Sequence, residues 1–293
     1  MAMMSIQNAK SLNPERTWQR RIIQTISAAA ATAQTFTIDI PRDHFIHEIH
    51  ITIYEHTALT RDPTKLVDDI AGAVQVIANG NKVLKDGVGN DFKQIMRINS
   101  RTPQTGLYTL FFTDPKIPSA QPLPAWIFTS LQLQLTDNAP AASNYHTIEV
   151  VLTESAYNGE SLDNWQVLIE KASAHVAYGA NTGEQKFEHE RANRVFGYLY
   201  LIDDNGTASA TAYDLIKLVG RKPTGEVTIV DVPVTLLKAE NDAEIMGTLG
   251  TGYLFLEWKQ GFPANEYASI YTKPNIASAG TNVGLKVVER YVL

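Results

Sequence analysis

The sequence predicts an all-β chain built as two tandem antiparallel domains with a short N-terminal helix in front. Three observations carry that prediction. Apolar and polar residues alternate through Phe36-Thr37-Ile38-Asp39-Ile40 and again through Ile49-His50-Ile51-Thr52-Ile53-Tyr54-Glu55, with Pro41-Arg42-Asp43 between them. Alternation is the period of a strand with one buried face, so this stretch reads as two consecutive strands joined at a proline corner. The first half contains no amphipathic helix of the length a parallel crossover needs, which excludes a doubly wound or barrel α/β fold. The same order then returns: Phe187-Glu188-His189-Glu190, a polar break at Arg191-Ala192-Asn193-Arg194, and an apolar run from Val195 to Asp203.

The totals agree. The chain has 293 residues, more than the roughly 100–200 usual for one domain. With 44% hydrophobic and 19% charged residues it can fill a core. A net charge of −6 and a pI of 5.7 argue against a surface that grips nucleic acid, and no sequence-specific nucleic-acid binding is expected. There is no cysteine, so disulfides, thiol nucleophiles and Cys-ligated metals are excluded, and stability must come from packing or assembly. No apolar run reaches the ~18 residues of a bilayer span, and the N-terminus lacks the order of a signal peptide, so the chain is expected to be made as a soluble protein. Asn205-Gly206-Thr207 matches a glycosylation sequon but reads as a turn.

Met1 to Leu12 is polar and unpatterned, a loose arm. Asn13-Pro14-Glu15 supplies a cap, a proline at the first helical position and an acid in the first turn, which predicts a helix from Pro14 to about Gln24. Lys10, Arg16, Arg20 and Arg21 against Glu15 give residues 1–21 a charge of +3. Two readings of this arm and helix, residues 1–27, stand side by side. It is a solvated surface helix, or Arg16, Trp18, Arg20 and Arg21 meet an anionic surface such as phospholipid heads.

The first domain is expected over residues 28–155. After the alanine-rich link and the opening strand pair, Thr57 to Asp69 reads as a loop. Val74 to Ile77 reaches Asn79-Gly80, a dipeptide suited to a tight hairpin, and Lys82 to Leu84 returns. Asp91 to Ile98 is too short and charged for a central strand and reads as a helical insert capped by Asp91. Leu107 to Thr113 is an aromatic strand ended by Asp114-Pro115. Ile127 to Thr136 has the clearest alternation, with Ile127, Thr129, Leu131, Leu133 and Leu135 on one face, and Ile148, Val150 and Leu152 line a face of the strand from Thr147 to Thr153.

Residues 156–184 read as a linker, with a helix predicted from Leu162 to Ala172. The second domain, residues 185–293, repeats the order of the first. A strand pair is followed by Asp214 to Val219, a turn at Pro223-Thr224-Gly225, Val227 to Val230, a short helix from Val234 to Ala239, and Tyr253 to Lys259. A weaker segment, Tyr267 to Tyr271, precedes a last strand in which Val283, Leu285 and Val287 share a face. Recurrence of strand, turn and insert in one sequence points to a duplicated domain.

Catalytic motifs are missing. His44, His47 and His50 are spaced three apart in a strand, unlike the helical zinc-protease pair, and His47 points away from the other two, so they converge only if the strand bulges. Gly247, Gly250 and Gly252 lead into a strand and do not precede a helix, so they make a loop and no phosphate cradle. Asp86 to Asp91 lacks EF-hand spacing, and no nucleophile elbow occurs. Asp68-Asp69 and Asp203-Asp204 read as solvated turn acids, and the aromatic residues as core.

Two eight-stranded antiparallel domains behind a basic arm describe a double jelly roll. In this pattern the chain resembles the major capsid proteins of membrane-containing, tailless icosahedral bacteriophages, in particular the compact corticovirus type. The residues that carry the resemblance are the strand pair Phe36 to Glu55, the hairpin and insert Val74 to Ile98, the strands Leu107 to Thr113, Ile127 to Thr136 and Thr147 to Thr153, and their repetition from Gln185 to the terminal Val287-Val288-Glu289-Arg290-Tyr291-Val292-Leu293. The resemblance implies a non-enzymatic virion protein, made in the host cytoplasm, that forms homotrimers of pseudo-hexagonal outline. Such trimers tile a shell over an internal membrane, with the N-terminal region near lipid and other capsid proteins such as a penton as partners. It implies no cofactor, with a structural calcium ion left open. The rival class is a two-domain β-sandwich that binds carbohydrate or a receptor, as a lectin, adhesin or phage receptor-binding protein. A bicupin-like enzyme is disfavoured by the absence of a metal motif.

Overall fold

The computed structural model describes residues 18–28, 33–57, 65–70, 72–114, 116–117, 119–140, 144–157, 159, 161–163, 165–190, 192–209, 211–245, 247–277, 280 and 282–292. The chain divides into two compact units, Met1–Lys93 with Pro103–Leu168, and Gln94–Thr102 with Ile169–Leu293. Among the described residues no helix is long and apolar enough to cross a membrane.

The first unit is a jelly roll. Its strands are β1 (Trp18–Ala28), β2 (Gln34–Asp39), β3 (His44–His56), β4 (Ala73–Ala78), β5 (Lys82–Val88), β6 (Leu107–Phe111), the short β7 (Leu123–Pro124), β8 (Leu131–Asp137) and β9 (Tyr145–Ala156). They form two antiparallel sheets, in the orders β1-β9-β3-β6 and β5-β4-β8-β2, and β7 adds to β3. Consecutive principal strands therefore cross between sheets, except at the β4–β5 hairpin. There Asn79 and Gly80 hold the positive φ angles, 53° and 77°, that a tight turn of this twist requires. Ile49, Ile51 and Ile53 of β3 and Ile148, Val150 and Leu152 of β9 face Val76, Leu133 and Leu135 from the other sheet, and all are buried. Each such side chain contributes about 1.5–3 kcal/mol by leaving water. Ile127 lies outside this alternation, in a 3-10 turn (Ala125–Ile127), and is 51% exposed.

The second unit has the same plan. Its strands are β10 (Leu168–Ala172), β11 (Val176–Gly179), β12 (Gly183–Glu184), β13 (Phe187–Glu188), β14 (Arg194–Asp204), β15 (Thr207–Ala208), β16 (Tyr213–Lys222), β17 (Gly225–Pro233), β18 (Tyr253–Phe262), β19 (Ser269–Ile276) and β20 (Val283–Val292). One sheet runs β10-β20-β14-β18. The other runs from β12 and β13 through β19 and β16 to β17. Strand for strand this is the order of the first unit. Even an irregularity recurs: the third strand of each barrel slips register against the last strand near its start, between Ile46 and Glu48 in β3 and between Val195 and Gly197 in β14. The Asn205-Gly206 turn joins β14 to β15, with the φ angles of 53° and 75° that a tight hairpin turn requires.

Among the described residues there are two α-helices, and each follows the fifth strand of a barrel. Helix α1 (Gly89–Ile98) follows β5, and its Asp91 accepts the Val88 N–H at 2.9 Å. Its C-terminus closes with paired bonds, Ser100 N–H to Arg97 O at 3.0 Å and Arg101 N–H to Met96 O at 2.8 Å, with Ser100 at φ 58°. Helix α2 (Val234–Glu244) follows β17 and runs a full turn beyond the predicted Ala239. Its buried Asn241 docks it on β18, donating to Phe255 O and accepting from Phe255 N–H, both at 2.7 Å.

Two predicted helices are strands. The stretch predicted as the N-terminal helix, Pro14 to Gln24, is described only from Trp18 onward, and there β1 pairs antiparallel with β9 from Trp18↔Ser155 to Ala28↔His146. The predicted linker helix from Leu162 to Ala172 ends in β10, which lies beside β20. Both are the first strand of a barrel. Helix propensity differs among ordinary residues by only a few tenths of a kcal/mol each, whereas without these strands β9 and β20 would each leave a row of backbone groups unpaired.

A fully buried ion pair pins β10 to β20. Arg290 Nε donates to Glu170 Oε1 at 3.0 Å, and its terminal amine donates to Asn99 Oδ1 at 3.1 Å. Arg290→Met strands Glu170 without its cation and is expected to cost about 3–5 kcal/mol in urea unfolding, whereas the double variant with Glu170→Met recovers most of that loss. A second constraint sits at Gly106, at φ +68°, where a Cβ would meet Ile53 O at 2.8 Å and Leu66 Cβ at 2.9 Å. Its N–H reaches Asp68 Oδ1 at 2.5 Å and its carbonyl accepts from Ile53 N–H at 2.9 Å. Gly106→Ala is expected to lower unfolding free energy by about 1–3 kcal/mol, read in the same assay.

Candidate functional site

The residues singled out in the arm fall in or before β1. Arg16 lies outside the described residues. Trp18, Arg20 and Arg21 occupy register positions opposite Ser155, Thr153 and Leu152 of β9. They therefore sit on the first strand of a barrel and not on a free helix.

The histidines of β3 do not converge. The bulge that convergence would need is present at His47, yet each ring has its own partners. His47 Nε2 is 2.7 Å from Ser155 Oγ, while His50 bridges Thr109 Oγ1 at 3.2 Å and Thr153 Oγ1 at 2.9 Å and lies 3.2 Å from Glu48. His44 pairs with Asp43 at 3.0 Å. The rings of His47 and His50 tie β3 to its neighbours β6 and β9. The acid pairs have comparable structural tasks. Asp203 takes His175 Nε2 at 2.6 Å and the Gly206 N–H at 3.0 Å, and Asp204 takes the Asn282 N–H at 2.9 Å.

Aromatic side chains pack on one another. Phe45 stacks with Trp165 at 4.9 Å and meets Trp126 edge-on at 4.5 Å, and the Trp165 indole donates to Pro122 O at 2.7 Å. In the second unit His189 stacks on Tyr198 at 4.0 Å and bonds Glu289 at 2.9 Å and Thr272 at 2.7 Å. Burial pushes the Tyr178 and Tyr291 hydroxyls up to about 12, so these phenols stay protonated at neutral pH.

One polar cluster escaped sequence reading. Glu55 near the end of β3, Asp69 before β4, and His146 at the start of β9 bring one ligand atom each within 4.8 Å of one another. His146 is wholly buried, with Nδ1 at 3.0 Å from Asp137 Oδ2. Burial alone would lower its pKa, but the hydrogen-bonded Asp137 and the charges of Asp69 and Glu55 outweigh burial and raise it. The hydrogen bond from Lys65 lowers the Glu55 pKa. The four residues are scattered from position 55 to 146, so no spacing motif announces them; the only local signal is a histidine opening an otherwise regular strand.

No protein-family profile and no curated protein sequence matches the chain. Solved structures do. The chain is similar to the STIV MCP at 13% identity and a TM-score of 0.69, over 94% of this chain and 97% of that one. It is similar to the major capsid protein P2 of bacteriophage PM2 at 12% identity and a TM-score of 0.64, over 94% and 98% of the two chains. A third likeness is to PBCV-1 VP54, at 10% identity and a TM-score of 0.59, over 94% of each. The chain has the double jelly-roll fold of these capsid proteins over nearly its whole length.

Proposed function

We propose that the chain is the major capsid protein of a membrane-containing icosahedral virus, a non-enzymatic component of the virion that acts by repeated self-association. The observation that carries this reading is the repetition of one strand order in both barrels. Three copies of a two-barrel chain present six similar barrels around a three-fold axis, an outline that tiles like a hexagon while obeying closed symmetry. The fold likeness to capsid proteins over 94% of the chain supports it. Partners in this reading are other copies of the chain, a penton protein at the vertices, and the internal membrane through the arm. The function needs no cofactor and leaves room for a structural calcium ion.

The arm's part rests on charge. Residues 1–21 carry +3 in a chain of net charge −6, and a cation near an anionic leaflet is worth about 1 kcal/mol. Two measurements test the proposal. Size-exclusion chromatography with light scattering is expected to give a species of three times the 32.4 kDa chain mass, and electron microscopy a pseudo-hexagonal outline; a monodisperse monomer at high concentration contradicts the proposal. Replacing Arg16, Arg20 and Arg21 by Ser is expected to weaken binding to anionic liposomes at low salt by ten-fold or more while far-UV circular dichroism stays unchanged. Unaltered liposome binding removes the arm from the membrane contact.

A further inference from the structure

We propose that Glu55, Asp69 and His146 form a binding site for a single divalent transition-metal cation of the zinc class, with Asp137 orienting the histidine. The site lies within one unit of a single chain and does not depend on capsid assembly.

Four observations build it. His146 is 0% exposed, and its Nε2 is a buried nitrogen with no hydrogen-bond partner, aimed at the two carboxylates. Nε2 lies 3.3 Å from Asp69 Oδ2 and 3.9 Å from Glu55 Oε2. Ligand atoms about 2.0–2.1 Å from a tetrahedral zinc ion lie about 3.3 Å apart, so the His146–Asp69 edge is already set, the His146–Glu55 edge needs a shift of about half an ångström, and the edge between the two carboxylates lies within 4.8 Å.

The remaining carboxylate oxygens are engaged by other groups. Glu55 Oε1 accepts from Asn144 Nδ2 at 2.6 Å and from Lys65 Nζ, which leaves Oε2 for an ion. Asn138 Nδ2 lies 3.5 Å from Asp69 Oδ1, on the side away from Oδ2. On the far side of the imidazole, Asp137 is fully buried and takes Nδ1–H at 3.0 Å. That contact turns Nε2 toward the carboxylates, where an incoming cation would take the place of a proton. A carboxylate behind a histidine behind a metal is the arrangement by which proteins fix the tautomer and raise the basicity of an imidazole ligand.

Ligand chemistry selects the ion. One imidazole nitrogen and two carboxylate oxygens suit zinc, manganese or cobalt, whereas calcium takes six to eight oxygens and does not use imidazole. The Asp69 side chain is 33% exposed, which gives the ion a path inward and leaves a fourth position for water. Bound there, the ion would cross-link the end of β3, the segment leading to β4, and the start of β9.

The test uses the full chain stripped with a chelator and titrated with zinc sulfate against a chromophoric competitor, with thermal unfolding read in parallel. One equivalent of zinc per chain is expected, with a rise in Tm. Asp69→Asn and Glu55→Gln, both at partly exposed positions, are each expected to weaken uptake ten-fold or more, and Asp137→Asn 10–100-fold. His146→Gln is expected to abolish uptake. Should that variant fail to fold, the Asp69 and Glu55 variants still decide the matter. Equal uptake by wild type and Asp69→Asn, no saturable uptake at micromolar zinc, or saturable calcium binding with none of zinc overturns the proposal.

Discussion

Each barrel depends on one strand having both of its edges taken. The last strand, β9 or β20, lies between the first and the third strand of its barrel, pairing with β1 and β3 in one case and with β10 and β14 in the other. Backbone donors and acceptors that leave water unpaired cost more than side-chain packing easily returns, so the position of this strand governs everything laid against it. Its two faces then separate the work. On β9, Ile148, Val150 and Leu152 enter the core, while the Thr147 and Thr153 hydroxyls share hydrogen bonds with His56 and His50 of β3 at 2.8 and 2.9 Å. A slip of one residue would exchange the two faces along the whole strand.

Buried polar groups make the same register costly to leave. On β20, Arg290 pairs with Glu170 and Glu289 pairs with His189, all nearly or fully buried. Such pairs add little stability over a well-packed apolar alternative, but separating the partners leaves a charge in the interior and costs several kcal/mol. They therefore act against the wrong alignment more than they favour the right one. On β9 the corresponding group is His146 with Asp137, at the other end of the strand.

Most of the fold was legible in the sequence, because alternation and turn chemistry are local properties. The Asn79-Gly80 and Asn205-Gly206 turns, the proline corner and the two inserts all stand where their residues require. The first strand of each barrel was not legible, and both failures have one cause. Asn13-Pro14-Glu15 carries the marks of a helix start, and Leu168-Ile169-Glu170-Lys171 lacks alternation because Glu170 is buried by a partner 120 residues away. What makes these segments strands is the last strand beside them, which no local window contains. The cluster at His146 was illegible for the same reason, since its carboxylates come from the ends of three different strands or their flanks. The histidines of β3, by contrast, are adjacent in sequence and conspicuous, yet the fold gives each a separate partner.

The pairing of first strand with last also sets a timetable. Trp18 meets Ser155, and Glu170 pairs with Arg290, so neither barrel closes until nearly all of its chain has left the ribosome. Contacts so distant along the chain are slow to form, and the entropy of closing the loop is lost before they repay it. During that interval β3, with its row of buried isoleucines, has no last strand beside it and is exposed to other nascent copies. The unpaired edge of β3, and the matching edge of β14, thus mark the stage of folding at which the chain is most open to pairing with another copy of itself.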